Sequence, residues 1–414
     1  VNPEYPVPGI GDIVIVPLGT RRELGVVWQV SDQNEVARSK LRAIQEIVDT
    51  PPLSAEMVKF VAWVADYTLS PLGMVLRMVL RSRAALNAPQ PRSGVRYAGI
   101  DPERRTKSRD RVLEIAGNGL AWIKKDLADA AGVGVGVVDG LLKAGCLEPA
   151  LLAPERVTAA LNPDFARIDL SEPQSVAAQR MISRLETGYS TTLLKGVTGS
   201  GKTEVYFEII AEILRRGGQV LVLLPEIALT AQFLTRFEQR FGSAPLAWHS
   251  GLTPRQRERA WSAVHRGEAR VIVGARSALF LPFHELGLII VDEEHDPAYK
   301  QTDRVTYHAR DMAVVRGFLG KCPVILASAT PSIETQVNVD SGKYEIVELP
   351  DRFSGQPLPD IRLIDLRETP PPRGNWLAPP LVEAIHKALE AGRQSLLFLN
   401  RRGFAPLTLC RKCG

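Results

Sequence analysis

The sequence predicts a multidomain α/β protein in which a small strand-rich domain and a three-helix module precede a lobe built on a parallel sheet. Three observations predict this. From Leu170 onward, near-continuous apolar strands alternate with amphipathic helices, the pattern of a parallel sheet covered on both faces. Between one such strand and its helix, Gly196-Val197-Thr198-Gly199-Ser200-Gly201-Lys202-Thr203 fits the phosphate-loop pattern G-x-x-x-x-G-K-[ST]. Ahead of it, residues 11–49 alternate apolar and polar with the period of short strands, and 108–152 read as three helices and a strand.

Composition sets the outer bounds. A chain of 414 residues has room for two to four domains. Its 45% hydrophobic and 23% charged fractions are those of an ordinary globular protein, which excludes fibrous and disordered classes. No apolar run is long enough to span a bilayer and no signal peptide opens the chain, so a cytoplasmic protein with no membrane partner is expected. The first residue is not Met, so residues upstream are expected. Net charge is +5, from 51 Lys+Arg against 46 Asp+Glu, which permits an anionic partner without requiring one. Four cysteines do not suggest a disulfide framework, and Cys146 and Cys322 read as small core residues.

In chain order, Asp12 to Leu18, Leu24 to Val30 and Leu41 to Val48 read as strands of a small barrel or sheet, with Pro17-Leu18-Gly19-Thr20 as a turn. Ser54 is a candidate N-cap of a helix to about Tyr67, and Leu72 to Leu80 form a second. Ala88 to Gly99, with Pro89, Pro91 and Gly94, reads as a linker. A helix starting over Arg111 to Ile115, a second over Lys125 to Ala131, a third over Val137 to Ala144 and a strand over Cys146 to Leu152 follow. That is the order of a winged helix-turn-helix. Two uses are open: DNA contact by the third helix, or a protein-contact or spacer module. The third helix carries Val137, Val138, Leu141 and Leu142 with only Lys143 basic, which favours the second use.

In the lobe, strands are expected at Thr191–Lys195, Gln219–Leu224, Arg270–Gly274, Leu288–Asp292 and Val324–Ser328, with helical runs such as Ala228–Phe241 and Pro254–His265. The glycines let backbone N–H groups approach phosphates without a Cβ clash, and the helix N-terminus adds its field. Lys202 would reach the β- and γ-phosphates, and the Thr203 hydroxyl would hold magnesium. The strand Leu288-Ile289-Ile290-Val291 delivers Asp292-Glu293-Glu294-His295 to its carboxyl end. Asp292 is assigned to magnesium and Glu293 to the attacking water. His295 senses the γ-phosphate, links it to a DNA site, or bonds locally. Three further strand ends suit a DNA motor: Leu223-Leu224-Pro225-Glu226 to Thr230, Val273-Gly274-Ala275-Arg276-Ser277, and Ala327-Ser328-Ala329-Thr330-Pro331. Thr230 and Arg276 would bind phosphates of a strand, and Ser328 and Thr330 would couple the nucleotide's state to the next lobe.

With these motifs, His249-Ser250-Gly251-Leu252 and Phe398-Leu399-Asn400-Arg401-Arg402-Gly403-Phe404 complete an ordered set. In it the chain resembles the bacterial primosomal protein N′ family, the replication-restart DNA helicases of superfamily 2. The resemblance runs across the whole chain and is most specific from about Leu170. It implies an N-terminal domain over 1–85 that binds the 3′ end of a nascent strand, a linker over 86–105 and a winged helix over 106–165. A RecA-like lobe over 166–348 and, over 349–414, the start of a second RecA-like lobe and its zinc-binding insertion complete the division. The implied activity is ATP-dependent 3′-to-5′ DNA unwinding at stalled or recombination-derived forks, with initiation of primosome assembly. Implied cofactors are ATP, magnesium and zinc. Implied partners are forked and single-stranded DNA, single-strand-binding protein and other primosome proteins. Carried over by position, Gly196, Thr198, Gly199, Ser200, Gly201, Lys202 and Thr203 bind nucleotide, and Gln174 touches the base. Tyr299, Lys300, Tyr307, His308 and Arg310 match a loop that couples DNA binding to ATP use, with stacking of a base on an aromatic. Thr306 stands where an arginine is often found in that loop, which also lacks Trp.

At the ends, the family's opening strand is expected to be missing before Val1. Ser395 to Asn400 reads as the first strand of the second lobe, with Arg401 and Arg402 at its end. Cys410 and Cys413 have zinc spacing and form half of a four-ligand site. The second lobe's arginine-finger motif is missing, so residues 1–414 alone are expected to bind ATP weakly and to unwind negligibly. A non-unwinding fork-binding scaffold that loads other replication proteins is the alternative to the motor. A double-strand translocase is a third reading, disfavoured by the small strand domain before a winged helix. Intact Lys202, Asp292 and Glu293 argue for the motor.

Overall fold

The computed structural model describes residues 7–31, 37, 40–80, 86, 91–153, 157–225, 231–350 and 360–398. The chain divides into two compact units, Val1–Gly355 and Gln356–Gly414.

The first unit opens with an antiparallel sheet of β1 (Ile13–Leu18), β2 (Arg21–Val26) and β3 (Glu46–Ile47), with β1 in the middle. The tight turn at Gly19, φ +62°, pairs Leu18 directly with Arg21. That register starts the second strand three residues before the expected Leu24. The third strand is only two residues long. Among the described residues these strands form an open sheet, not a closed barrel. Helix α1 (Ala55–Tyr67) begins where Ser54 accepts a hydrogen bond from the Met57 amide at 3.1 Å. It buries Met57, Phe60, Val61 and Val64, and α2 (Leu72–Val79) follows.

The segment expected as a linker carries a strand, β4 (Arg92–Tyr97), paired antiparallel with β5 (Leu147–Leu152). Its Pro and Gly content disguised it. Pro91 stands just before the strand, where its missing N–H costs nothing. Gly94 is required, because a Cβ there would collide with the Leu152 side chain and the Trp122 carbonyl. Between the two strands lie α3 (Lys107–Ala116), α4 (Lys124–Ala130) and α5 (Val135–Lys143). They close a small core of their own from Val95, Val112, Leu127, Val138, Leu141 and Leu147. This module therefore starts inside the segment 86–105.

The lobe begins with α6 (Glu172–Arg184), capped reciprocally by Ser171 and Gln174. Its seven strands are β6 (Thr191–Gly196), β7 (Gln219–Leu223), β8 (Leu246–Trp248), β9 (Val271–Gly274), β10 (Leu286–Asp292), β13 (Val324–Ser328) and β14 (Glu345–Leu349). All pair in parallel, in the order β14-β6-β13-β10-β7-β9-β8. The helices are α7 (Lys202–Arg215), α8 (Ala231–Phe241), α9 (Pro254–His265), α10 (Ala309–Gly320) and α11 (Ile333–Asp340). A two-residue hairpin of β11 (Lys300–Gln301) and β12 (Tyr307–His308) follows β10. The period of two divides the strands between two cores. Leu221, Leu223, Ile289, Val291, Val324 and Leu326 face α9 and α10, while Val220, Val222, Leu288, Ile290 and Ile325 face α6, α7 and α8.

The first of these cores continues into the amino-terminal helices. Met57, Phe60 and Val64 of α1 belong to it together with Trp261 and Phe280. Three polar side chains bond across the junction. The Trp261 indole donates to the Val79 carbonyl at 2.7 Å, and His265 Nε2 lies 2.7 Å from the Pro51 carbonyl. The fully buried Arg316 donates from Nε to Glu56 at 2.8 Å and lies over the Phe60 and Phe283 rings.

The second unit contains α12 (Pro379–Glu390), none of whose residues is buried. Ser395–Phe398, expected as a strand start, are not in a strand. Among the described residues no helix is long and apolar enough to cross a membrane.

Candidate active site

The sheet's carboxyl edge gathers the residues that the motifs single out. β6 ends at Gly196 and α7 begins at Lys202, so the phosphate loop spans the space between them. Gly199 and Gly201 have φ of +82° and +83°, a conformation that favours glycine. A Cβ at Gly201 would also strike the Gln174 amide. The Lys202 side chain is buried and its amine donates to the Gly196 carbonyl at 2.9 Å, bridging the loop. Gln174, expected at the base, supports the loop: Oε1 accepts from the Ser171 amide at 2.9 Å and Nε2 donates to the Ser200 carbonyl at 3.0 Å. Ser200 Oγ is buried without a partner. An unpaired hydroxyl, two left-handed glycines and a lysine on a carbonyl it can leave together fit a polyphosphate.

Asp292 ends β10, with β13 lying between β10 and β6. Its Oδ1 accepts the Glu293 amide at 3.0 Å and its Oδ2 the Tyr206 hydroxyl at 2.9 Å. Burial, and then the Glu293 charge, push its pKa up to about 6, against the pull of Tyr206, the Glu293 amide and Lys202. A bound cation would reverse that push. Glu293 turns the chain with φ +49°, and its side chain is 41% exposed, open to a water molecule. The hard oxygens of Thr203 and Asp292 suit magnesium. Among the described residues no group of three His, Cys, Asp or Glu could hold a metal alone, so phosphate oxygens would complete the shell.

His295 bonds across strands: Nδ1 lies 2.8 Å from Ser328 Oγ, which also accepts the Thr330 amide at 3.1 Å. Glu293 is 3.7 Å from the same ring nitrogen. The acidic and Ser-Ala-Thr motifs are thereby joined. Sequence reasoning missed Glu294. This fully buried carboxylate accepts from Arg310 Nη1 at 3.1 Å, the Ser332 amide at 2.7 Å, Ser332 Oγ at 3.1 Å and Thr335 Oγ1 at 2.9 Å. Its only signal was a third acid after Asp292 and Glu293.

The loop after the acidic motif corrects an expectation. Tyr299 and Tyr307 are 1% and 3% exposed, so neither ring has a face on which a base could stack. The Tyr299 hydroxyl lies 2.5 Å from the Asp292 carbonyl and 2.9 Å from that of Leu223, donating to one at a time. Tyr307 packs edge-on against Phe280. Arg310 is buried on Glu294, not offered to a strand. Arg276 Nη1 donates to the Ala298 and Lys300 carbonyls at 3.0 and 2.9 Å, bracing the loop from outside, and Lys300 is exposed. Thr230, Cys410 and Cys413 lie outside the described residues.

Two family profiles match: "DEAD/DEAH box helicase" over residues 175–339 and "3'DNA-binding domain (3'BD)" over residues 1–81. Among curated relatives, the replication restart protein PriA of Rickettsia felis is 37% identical over 413 residues, covering 100% of this chain and 53% of the relative. That of Haemophilus influenzae is 35% identical, covering 98% and 57%. That of Bacillus subtilis is 41% identical over 250 residues, 60% of this chain and 31% of the relative. The chain spans about half the length of the first two. Its helicase profile covers the phosphate loop and the acidic strand end, its amino-terminal profile covers the small sheet with α1 and α2, and the chain belongs to the replication restart protein PriA family.

Proposed function

We propose that the protein is an ATP-driven DNA helicase that unwinds 3′ to 5′ at stalled or recombination-derived forks and starts primosome assembly there. The observation that carries this is the shared address of Lys202, Asp292 and Glu293 at one edge of the sheet. The loop amides and the α7 N-terminus would cradle the phosphates, and Lys202 would exchange the Gly196 carbonyl for the β- and γ-phosphates. Magnesium, held by Thr203 and Asp292, would neutralise charge on the phosphate oxygens. Glu293 would orient the attacking water and take its proton. His295, tied to Ser328, would carry the change toward Thr330.

On this reading residues 1–81 hold the 3′ end of a strand, in keeping with the domain profile matched there. Single-stranded DNA would meet Arg276, Lys300 and Thr230. Cys410 and Cys413 would join further ligands around zinc, and single-strand-binding protein and other primosome proteins would be the partners. The test is Lys202→Ala in the full-length protein. Hydrolysis of ATP should fall at least about 100-fold while affinity for a labelled fork changes little. Hydrolysis that survives the substitution refutes the assignment. Fork binding and partner loading without ATP-dependent strand displacement would favour a non-unwinding scaffold instead.

A further inference from the structure

We infer that Tyr206 is a positioning residue whose phenol ties together Thr203 and Asp292 and sets the orientation of the metal-holding carboxylate before magnesium arrives. The inference rests on the nucleotide-site reading above. In the sequence Tyr206 is one more member of the buried face of α7, with Ile209, Ile210 and Ile213. Its ring packs edge-on against Phe207 at 5.5 Å, as a core aromatic should.

The hydroxyl departs from that role. It reaches across 86 positions of sequence to donate to Asp292 Oδ2 at 2.9 Å. Thr203, one turn back on α7, lies against the same phenol. The two side chains assigned to magnesium come from different strand ends, and Tyr206 stands between them. Asp292 Oδ1 is meanwhile held by the Glu293 amide at 3.0 Å. A carboxylate with one protein donor on each oxygen has its plane fixed, with lone pairs left over for a cation. Such donors are what raise metal affinity in sites of this kind, and their loss typically costs 10–100-fold. A buried phenol also has few internal rotations to lose, so it holds its acceptor more rigidly than a water molecule would.

Tyr206→Phe in the full-length protein tests this, because it keeps the ring and removes only the hydroxyl. The probe is a fluorescent ATP analogue titrated with magnesium. The magnesium concentration at half-maximal binding should rise about 10-fold, while affinity measured in EDTA stays within about 2-fold of the parent. Excess magnesium should restore most of kcat. In an Asp292→Asn background, where the carboxylate is already gone, adding Tyr206→Phe should leave the midpoint unmoved. A midpoint unchanged by the single substitution, or shifted further in the Asn background, overturns the inference and leaves Tyr206 as core packing. A parent protein that binds no nucleotide at all overturns the phosphate-loop reading, and this one with it.

Discussion

Glu294 shows how much one side chain can hold at this site. It is fully buried, and its carboxylate joins the end of β10 to the starts of α10 and α11 through Arg310, Ser332 and Thr335. Removing one member of a buried pair strands the other's charge. Glu294→Gln should therefore destabilise the fold by about 3 kcal/mol in urea unfolding, and adding Arg310→Met should return much of that loss. Equal costs for the single and double variants would show that the pair is not the unit. At this scale the sequence revealed what spacing encodes. Lys202, Thr203 and Asp292 sit in local patterns whose chemistry demands them. Glu294 did not announce itself, because its partners lie 16 to 41 residues away. Tyr299 and Tyr307 misled for the opposite reason: an aromatic in a loop reads alike whether it packs inward or stacks outward.

Among the elements, α9 ends in a residue that makes its packing sensitive to pH. Burial depresses the His265 pKa from 6.5 to about 4, outweighing the Pro51 and Pro282 carbonyls that raise it. Between those values the unfolded chain takes up a proton that the native one refuses. The neutral ring's contribution is thus complete above pH 6.5 and is lost as pH falls through 4, by about 3 kcal/mol in all. His265→Gln, which can still donate to Pro51, should flatten the fall in melting temperature between pH 7 and pH 4. A variant whose melting temperature falls as steeply as the parent's would exclude His265 as the source. Elements were legible where burial was two-sided. The apolar runs of β7, β10 and β13 lie inside the sheet, so every residue reports the core. The edge strands β8 and β14, and β4 with its glycine, carry weaker patterns because one edge or face is unconstrained.

On the scale of the first unit, the amino-terminal helices and the seven-stranded sheet share one core, whereas the three-helix module closes its own. Arg316 is the pin: fully buried, it is bonded to Glu56 and also donates to the Leu279 carbonyl. Arg316→Ala should cost about 3–5 kcal/mol. In the parent, amide exchange of α1 and β10 should report one common opening energy, and in the variant α1 should exchange first. Separate opening energies already in the parent would mean that the shared core does not act cooperatively. No sequence pattern foretold this junction, since Phe60 and Trp261 are each only an apolar residue on a helix until the chain brings them together. Ile13 of the small sheet and Leu193 of β6, the strand that leads into the glycine-rich loop, belong to that one core, so a ligand that stabilises either end against opening stabilises the other.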